Sequence, residues 1–184
     1  MVIALMMTGL SISRERELGT FDQLLVSQST PLEIMVSKTI PAMLGAGVVG
    51  TIITCIAVFG FAVPFQGSIL LLWAAMFPFV FSVVGIGLVL SSLTNTQQQS
   101  ILAVFFMMMP LILTSGFATP VENMPQWLQY ATAVNPLKYM LIIIQGSFLK
   151  SMPVGDIMAN VWPMLLIGTV TFTTATVVVQ RRLQ

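Results

Sequence analysis

The sequence predicts an all-α membrane protein: a polytopic helix bundle with a polar cytoplasmic helix at one end and a re-entrant helical hairpin at the outer end. Three observations predict it. Of the 184 residues, 57% are hydrophobic and 7% charged, with a mean hydropathy of +0.97. Soluble domains carry about 25% charged residues, so this chain has too few to cover a water-facing surface. The charges are also segregated: seven lie between Arg14 and Lys38, four at Glu122, Lys138, Lys150 and Asp156, and two at Arg181 and Arg182. Finally, the 83 residues from Thr39 to Val121 contain no charge. That leaves room for about three spans of roughly 20 residues with short neutral loops.

The same composition narrows function. Cys55 is the sole cysteine, which excludes a disulfide scaffold. The chain has no histidine, so His-based triads and His metal sites are absent from it. A net charge of +1 gives no electrostatic footprint for nucleic acid.

Residues 1–13 are apolar but short. At about 1.5 Å per residue they reach about 20 Å, against a hydrocarbon core of about 30 Å. A signal peptide would carry a basic stretch before its apolar run, whereas here the charges follow it. The segment is expected to be the inner end of a partial span, in a chain that is a truncated form of a longer protein. Residues 14–33 form the most polar part of the molecule and the expected cytoplasmic segment. Thr20 followed by Gln23 fits a capping box, and Phe21, Leu24 and Leu25 share one helical face, with Asp22, Gln23 and Ser27 elsewhere. A short amphipathic helix at the membrane surface is expected there. Thr30-Pro31-Leu32-Glu33 is a stronger start signal, with Thr at the N-cap, Pro at N1 and an acid at N3.

The first complete span is expected over 35–63. Along it Ala42, Ala46, Gly50 and Thr54 recur every four residues, a spacing that lets helices approach closely in lipid. Packing within the subunit is favoured over a dimer seam. Residues 64–68 make a turn. The second span covers 69–90 and is bent by Pro78; 91–99 is a neutral polar loop; the third span covers 100–117 and carries Pro110. Met107–Met109 reads as adaptable packing, with contact to a greasy substrate as the alternative.

Residues 118–155 differ in character, holding four prolines, Trp127, Tyr130, Tyr139, two lysines and the acid Glu122, with Asp156 just beyond. Their most apolar piece, 137–149, is too short to cross and contains Gln145 and Gly146. Trp and Tyr favour the headgroup level, so an outer hairpin that dips into the membrane and returns is expected. The last span covers 157–179. If the hairpin does not cross, Arg14, Arg16, Lys38, Arg181 and Arg182 share one side, and Lys138 and Lys150 the other. Five basic residues against two place the polar segment and the C-terminus in the cytoplasm.

Chemistry-bearing motifs are scarce. No G-x-x-x-x-G-K-[ST] loop is present; Gly146-Ser147-Phe148-Leu149-Lys150-Ser151 lacks the second glycine. The four acids before the first full span alternate with bases and do not resemble a metal cage. Apart from Lys38 near the start of the first, the expected spans carry no charge, which argues against a proton-coupled carrier and a charged ion filter. No inverted repeat supports a channel or secondary carrier. A membrane-embedded enzyme would need polar groups near a membrane face, and the outer acids Glu122 and Asp156 lack obvious partners. What remains is an uncharged bundle with one polar elbow, suited to borrowing energy from a soluble partner.

Arg14-Glu15-Arg16-Glu17-x-Gly19-Thr20-x-x-x-Leu24-Leu25-Val26-Ser27 strongly resembles the cytoplasmic segment of type-2 ABC exporter permeases of the multidrug and efflux kind. Pro31 and Lys38 ahead of a long span fit, as does Ser91-Ser92-Leu93 before a Gln-rich loop. Ser115-Gly116-Phe117, Pro120-Val121-Glu122-Asn123-Met124-Pro125-x-Trp127-Leu128 and Asn135-Pro136-Leu137 resemble the outer end of the family's fifth span and its re-entrant hairpin. Four motifs in the right order make the resemblance specific. Family members usually have six spans, often with an extracytoplasmic domain between the first two; this chain resembles the end of the second span onward.

The resemblance implies a bacterial inner-membrane permease, multi-pass, that pairs with a second permease unit, identical or not, to form a path between them. Two separate ABC ATPase subunits would bind ATP and Mg, with no cofactor in this chain. Residues 14–27 would be the coupling helix and its lead-in, with Glu15, Arg16, Glu17, Gly19, Thr20, Phe21 and Asp22 as coupling candidates. Composition alone offers a plainer role for these charges, a solvated surface with local ion pairs worth about a few tenths of a kcal/mol. Gly19 would then simply end one helix before Thr20 caps the next. The hairpin would be the outer gate, with Trp127, Asn135, Pro136, Lys138 and Tyr139 as its candidates. Trp127 and Tyr139 suit interface anchors, and Lys138 could hold the hairpin at the surface. An uncharged path implies amphipathic or lipid-like cargo. The alternatives are a channel or secondary-carrier fragment, which would need no ATPase, and an inactive permease remnant.

Overall fold

The computed structural model describes residues 1–20, 30–61, 63, 67–117, 120–149 and 152–182. The chain is 85% helical, with no strand among the described residues, so it is an all-α protein. Among the described residues, three helices are long and apolar enough to cross a membrane: Leu32–Gly60, Ile69–Leu93 and Val154–Arg181.

Helices α1 (Val2–Gly9) and α2 (Ser11–Glu17) form one rod broken at Leu10. The ladder continues through the break, from Leu10 N to Met6 O and from Arg14 N to Leu10 O, each at 3.1 Å. The expected partial span over 1–13 therefore extends through the charged residues to Glu17, because Arg and Glu are good helix formers and nothing interrupts them. Gly19 ends it. At φ +70 Gly19 adopts the left-handed conformation that favours glycine. Its N–H donates to Arg16 O at 3.1 Å, and that of Thr20 to Glu15 O at 3.0 Å, the paired bonds of a Schellman motif. The amphipathic helix expected after Thr20 lies outside the described residues.

Helix α3 (Pro31–Cys55) starts on the expected capping box: Glu33 N donates to Thr30 Oγ1 at 3.3 Å, and Thr30 N to Glu33 Oε2 at 2.8 Å. It continues into a π-helical turn, Ile56–Gly60. Ala42 is buried, Ala46 packs on the core, and Met76 lies against Gly50, so the small-residue stripe faces the chain's own α4. The opposite face exposes Ile40, Leu44, Val48 and Ile52. Such a row suits lipid, since an apolar helix face needs no burial in protein there.

Helix α4 (Ile69–Leu93) is the centre of the molecule, burying Leu72, Ala75, Val83, Val84 and Leu88 among others. Its main neighbour is α8 (Val154–Arg182). The two come together at Gly85 and Gly168. A Cβ at Gly168 would lie 2.5 Å from Phe81 Cδ1 and 3.3 Å from Ser82 Cα, and one at Gly85 would strike Thr171 Oγ1. Ser82 Oγ donates across this seam to Met164 O and within its own helix to Pro78 O at 2.9 Å. Because Ser82 meets Met164 and Gly85 meets Gly168 and Thr171, α4 and α8 run parallel.

Where a polar loop was expected over 91–99 and a span over 100–117, the chain is helical for most of that length. Helix α4 runs on to Leu93, only Thr94–Thr96 intervene, and α5 occupies Gln97–Leu113. Thr96 caps α5, its Oγ1 accepting from Gln99 N at 3.3 Å. Gly116 at φ +88 follows its other end. The 17 residues of α5 reach about 26 Å, short of a hydrocarbon core of about 30 Å. After a 3₁₀ turn (Val121–Asn123) come α6 (Gln126–Thr132) and α7 (Pro136–Leu149). At about 1.5 Å per residue, neither is long enough to cross.

Candidate functional site

The polar elbow and the α6–α7 hairpin occupy opposite ends of the bundle, because α5 begins at one and ends at the other. At the elbow, three consecutive charged residues of α2 each reach a different helix. Glu15 forms an ion pair with Lys38 on α3. Arg16 Nη1 donates to Ser92 O at 3.0 Å and Thr94 O at 3.2 Å, at the C-terminal end of α4. Glu17 Oε2 accepts from Gln97 N at 2.7 Å, at the first residue of α5. Gly19 and Thr20 close α2, and the Thr20 hydroxyl donates to Glu15 O at 3.3 Å. Five of the seven expected coupling residues thus share one end of one helix. Phe21 and Asp22 lie outside the described residues.

Two participants escaped the sequence reading. Ser91, buried on α4, accepts from Ile12 N at 2.9 Å and Ser13 N at 3.2 Å, receiving the amides just past the break at Leu10. Gln97 contributes a backbone amide, which no side-chain pattern reveals. The available signal was Thr96 with Gln99 three residues on, a helix-start pattern that would have shortened the expected loop.

At the hairpin, Asn135 is 2% exposed and joins two helix ends. Its Nδ2 donates to Leu111 O at 2.6 Å and Thr114 Oγ1 at 2.9 Å, at the end of α5. Its Oδ1 accepts from Leu137 N at 3.0 Å, at the start of α7, where Pro136 takes the first helical position. Lys138 Nζ donates to Thr132 Oγ1 at 3.0 Å and lies 5.9 Å from the Tyr139 ring centroid, while Tyr139 OH donates to Ala133 O at 2.8 Å. These four residues brace the α6–α7 turn. Trp127, 72% exposed on α6, stands apart from them. Gly67 N donates to Ser147 O at 2.9 Å, tying α7 to the start of α4.

Between the hairpin end of α4, α3, α7 and the start of α1 lies an open cavity of about 650 Å³. Val49, Ile53, Leu72, Met76, Phe79 and Met140 are among its lining residues, and no ionisable side chain is. Met107 packs against the core, whereas Met109 is exposed on α5; neither lines this cavity.

Comparison with known proteins adds a family. The model of the ABC-2 type transporter family matches residues 1–149. The chain is 41% identical over 178 residues to the probable multidrug ABC transporter permease YbhR of Escherichia coli (strain K12), covering 97% of this chain and 48% of that one. It is 31% identical to the probable multidrug ABC transporter permease YbhS of the same organism, over 96% of this chain and 45% of that one. The inner membrane transport permease YhhJ, also from Escherichia coli (strain K12), is 32% identical over 95% of this chain and 47% of its own. The chain thus spans about half the length of the relatives it matches.

Proposed function

This chain belongs to the ABC-2 type transporter family, and from that premise we propose that it is the membrane permease subunit of an ATP-driven exporter. Its spans would form part of the path for an amphipathic or hydrophobic substrate. The energy would come from a separate ABC ATPase subunit that binds ATP and Mg, so this chain is not itself the enzyme. A second permease unit, identical or not, would complete the path. The membrane is the bacterial inner membrane in this reading, in keeping with the name of the inner membrane transport permease YhhJ, with α2 and the C-terminus in the cytoplasm.

The observation that carries the proposal is the gathering of Glu15, Arg16, Glu17 and Lys38 at one end of an otherwise apolar bundle in a chain of this family. Charges there can take up force from a soluble partner, while residues 39–93 and 157–180 carry no charged side chain that would bind a proton or an ion. The multidrug permease relatives support greasy cargo. A mild-detergent capture of the chain from its own membranes, with every co-purifying protein identified, tests the reading. A partner carrying a G-x-x-x-x-G-K-[ST] loop is expected. Recovery of inserted, folded chain with no such partner overturns it.

A further inference from the structure

The geometry points to α2 as an internal transmitter: Arg16 and Glu17 fasten the elbow to the α4–α5 turn, so that both helices move with it. This rests on the coupling role proposed above. Arg16 is half-buried and Glu17 exposed, yet both bond across to other helices instead of to a neighbour three or four positions away. The bonds from Arg16 Nη1 and to Glu17 Oε2 reach main-chain groups 76, 78 and 80 residues distant in sequence. The signs match the sites. Carbonyls at a helix C-terminus lack intrahelical partners and carry partial negative charge; amides at an N-terminus are their positive counterpart. Arg16 takes the first at the end of α4, and Glu17 takes the second at the start of α5. Ser91 adds a third fastening near the beginning of α2. Over Ile12–Glu17, then, α2 is bonded at successive points to the end of α4, to Thr94 in the three-residue turn Thr94–Thr96, and to the first residue of α5. Displacing the Gly19 end of α2 without breaking these charge-assisted bonds must carry the turn along. Arg16 and Glu17 are therefore positioning residues that act inside the permease rather than on the ATPase surface.

The test uses the assembled permease–ATPase complex in lipid nanodiscs. Amide hydrogen exchange over residues 92–100 is compared between nucleotide-free and ADP–vanadate-trapped states. In the wild type, trapping shifts exchange in this segment. In Arg16→Ala and Glu17→Ala the ATPase stays bound but the nucleotide-dependent shift is lost, and the Gln97 amide exchanges about tenfold faster in Glu17→Ala through loss of a charge-assisted bond. Glu17→Gln keeps an acceptor oxygen and restores the shift. If Arg16→Ala fails to assemble, the two Glu17 variants carry the comparison. A full nucleotide-dependent shift in the alanine variants overturns the transmitter and leaves the coupling role standing. Loss of the ATPase from the variants alone also overturns it, in favour of direct docking. Failure of the wild type to hold any ATPase overturns the coupling role and the transmitter together.

Discussion

Asn135 lies between the end of α5 and the start of α7 and satisfies both: its amide donates to Leu111 O and Thr114 Oγ1, and its carbonyl oxygen accepts from Leu137 N. A side-chain amide suits this double role, because Asn and Gln carry an N–H donor and a carbonyl acceptor on one group. Truncation to Ala leaves a buried carbonyl and a helix N–H without these partners. Asn135→Ala should cost about 2 kcal/mol, read as a lower melting temperature of the detergent-solubilised protein by size-exclusion chromatography after heating. Asn135→Ser keeps a capping oxygen and should lose less. An equal loss in both variants would show that the cap contributes little. The Asn-Pro pair was visible in the sequence through its resemblance to the family's hairpin turn. The bond to Leu111, 24 residues away, was not, because nothing near Asn135 marks where the end of α5 will arrive.

At the scale of elements, the α4–α8 seam depends on two glycines that bring backbones together, Gly85 and Gly168. Lipid offers apolar contacts as good as a neighbouring helix does, so close packing and bonds such as that from Ser82 to Met164 must hold the pair. Gly168→Leu should destabilise by about 3 kcal/mol, since Phe81 and the Ser82 backbone leave no room. The fraction of chain that stays monodisperse in detergent checks this, and wild-type behaviour would show that the seam can open without penalty. Helix starts that rest on nearby residues were legible: Thr30, Pro31 and Glu33 mark α3 unaided. The start of α5 was misjudged because Thr94–Gln99 is polar and uncharged, which looks the same in a loop as in a capped helix end. The side chains of α2 were recognised as important from their family pattern. Their attachments to α4 and α5 were not legible, since their partners are backbone groups.

For the whole molecule, α8 runs parallel to α4, so its Arg181 end lies toward the elbow end of the bundle. The excess of basic residues at that end predicts a cytoplasmic C-terminus. Alkaline phosphatase fused after Gln184 should be inactive and a fluorescent protein fused there bright; the reverse pattern would invert the orientation. One helix spans the distance between the elbow and the hairpin with a side-chain tether at each extremity. Glu17 grips the first amide of α5, and Asn135 grips one of its last carbonyls. A rod pinned at both tips yields where its own ladder is missing a rung, and in α5 that place is Pro110, which has no N–H to give. If both pins hold, a push at the elbow becomes flexure beside Pro110, next to the attachment point of the hairpin, instead of sideways drift of the helix.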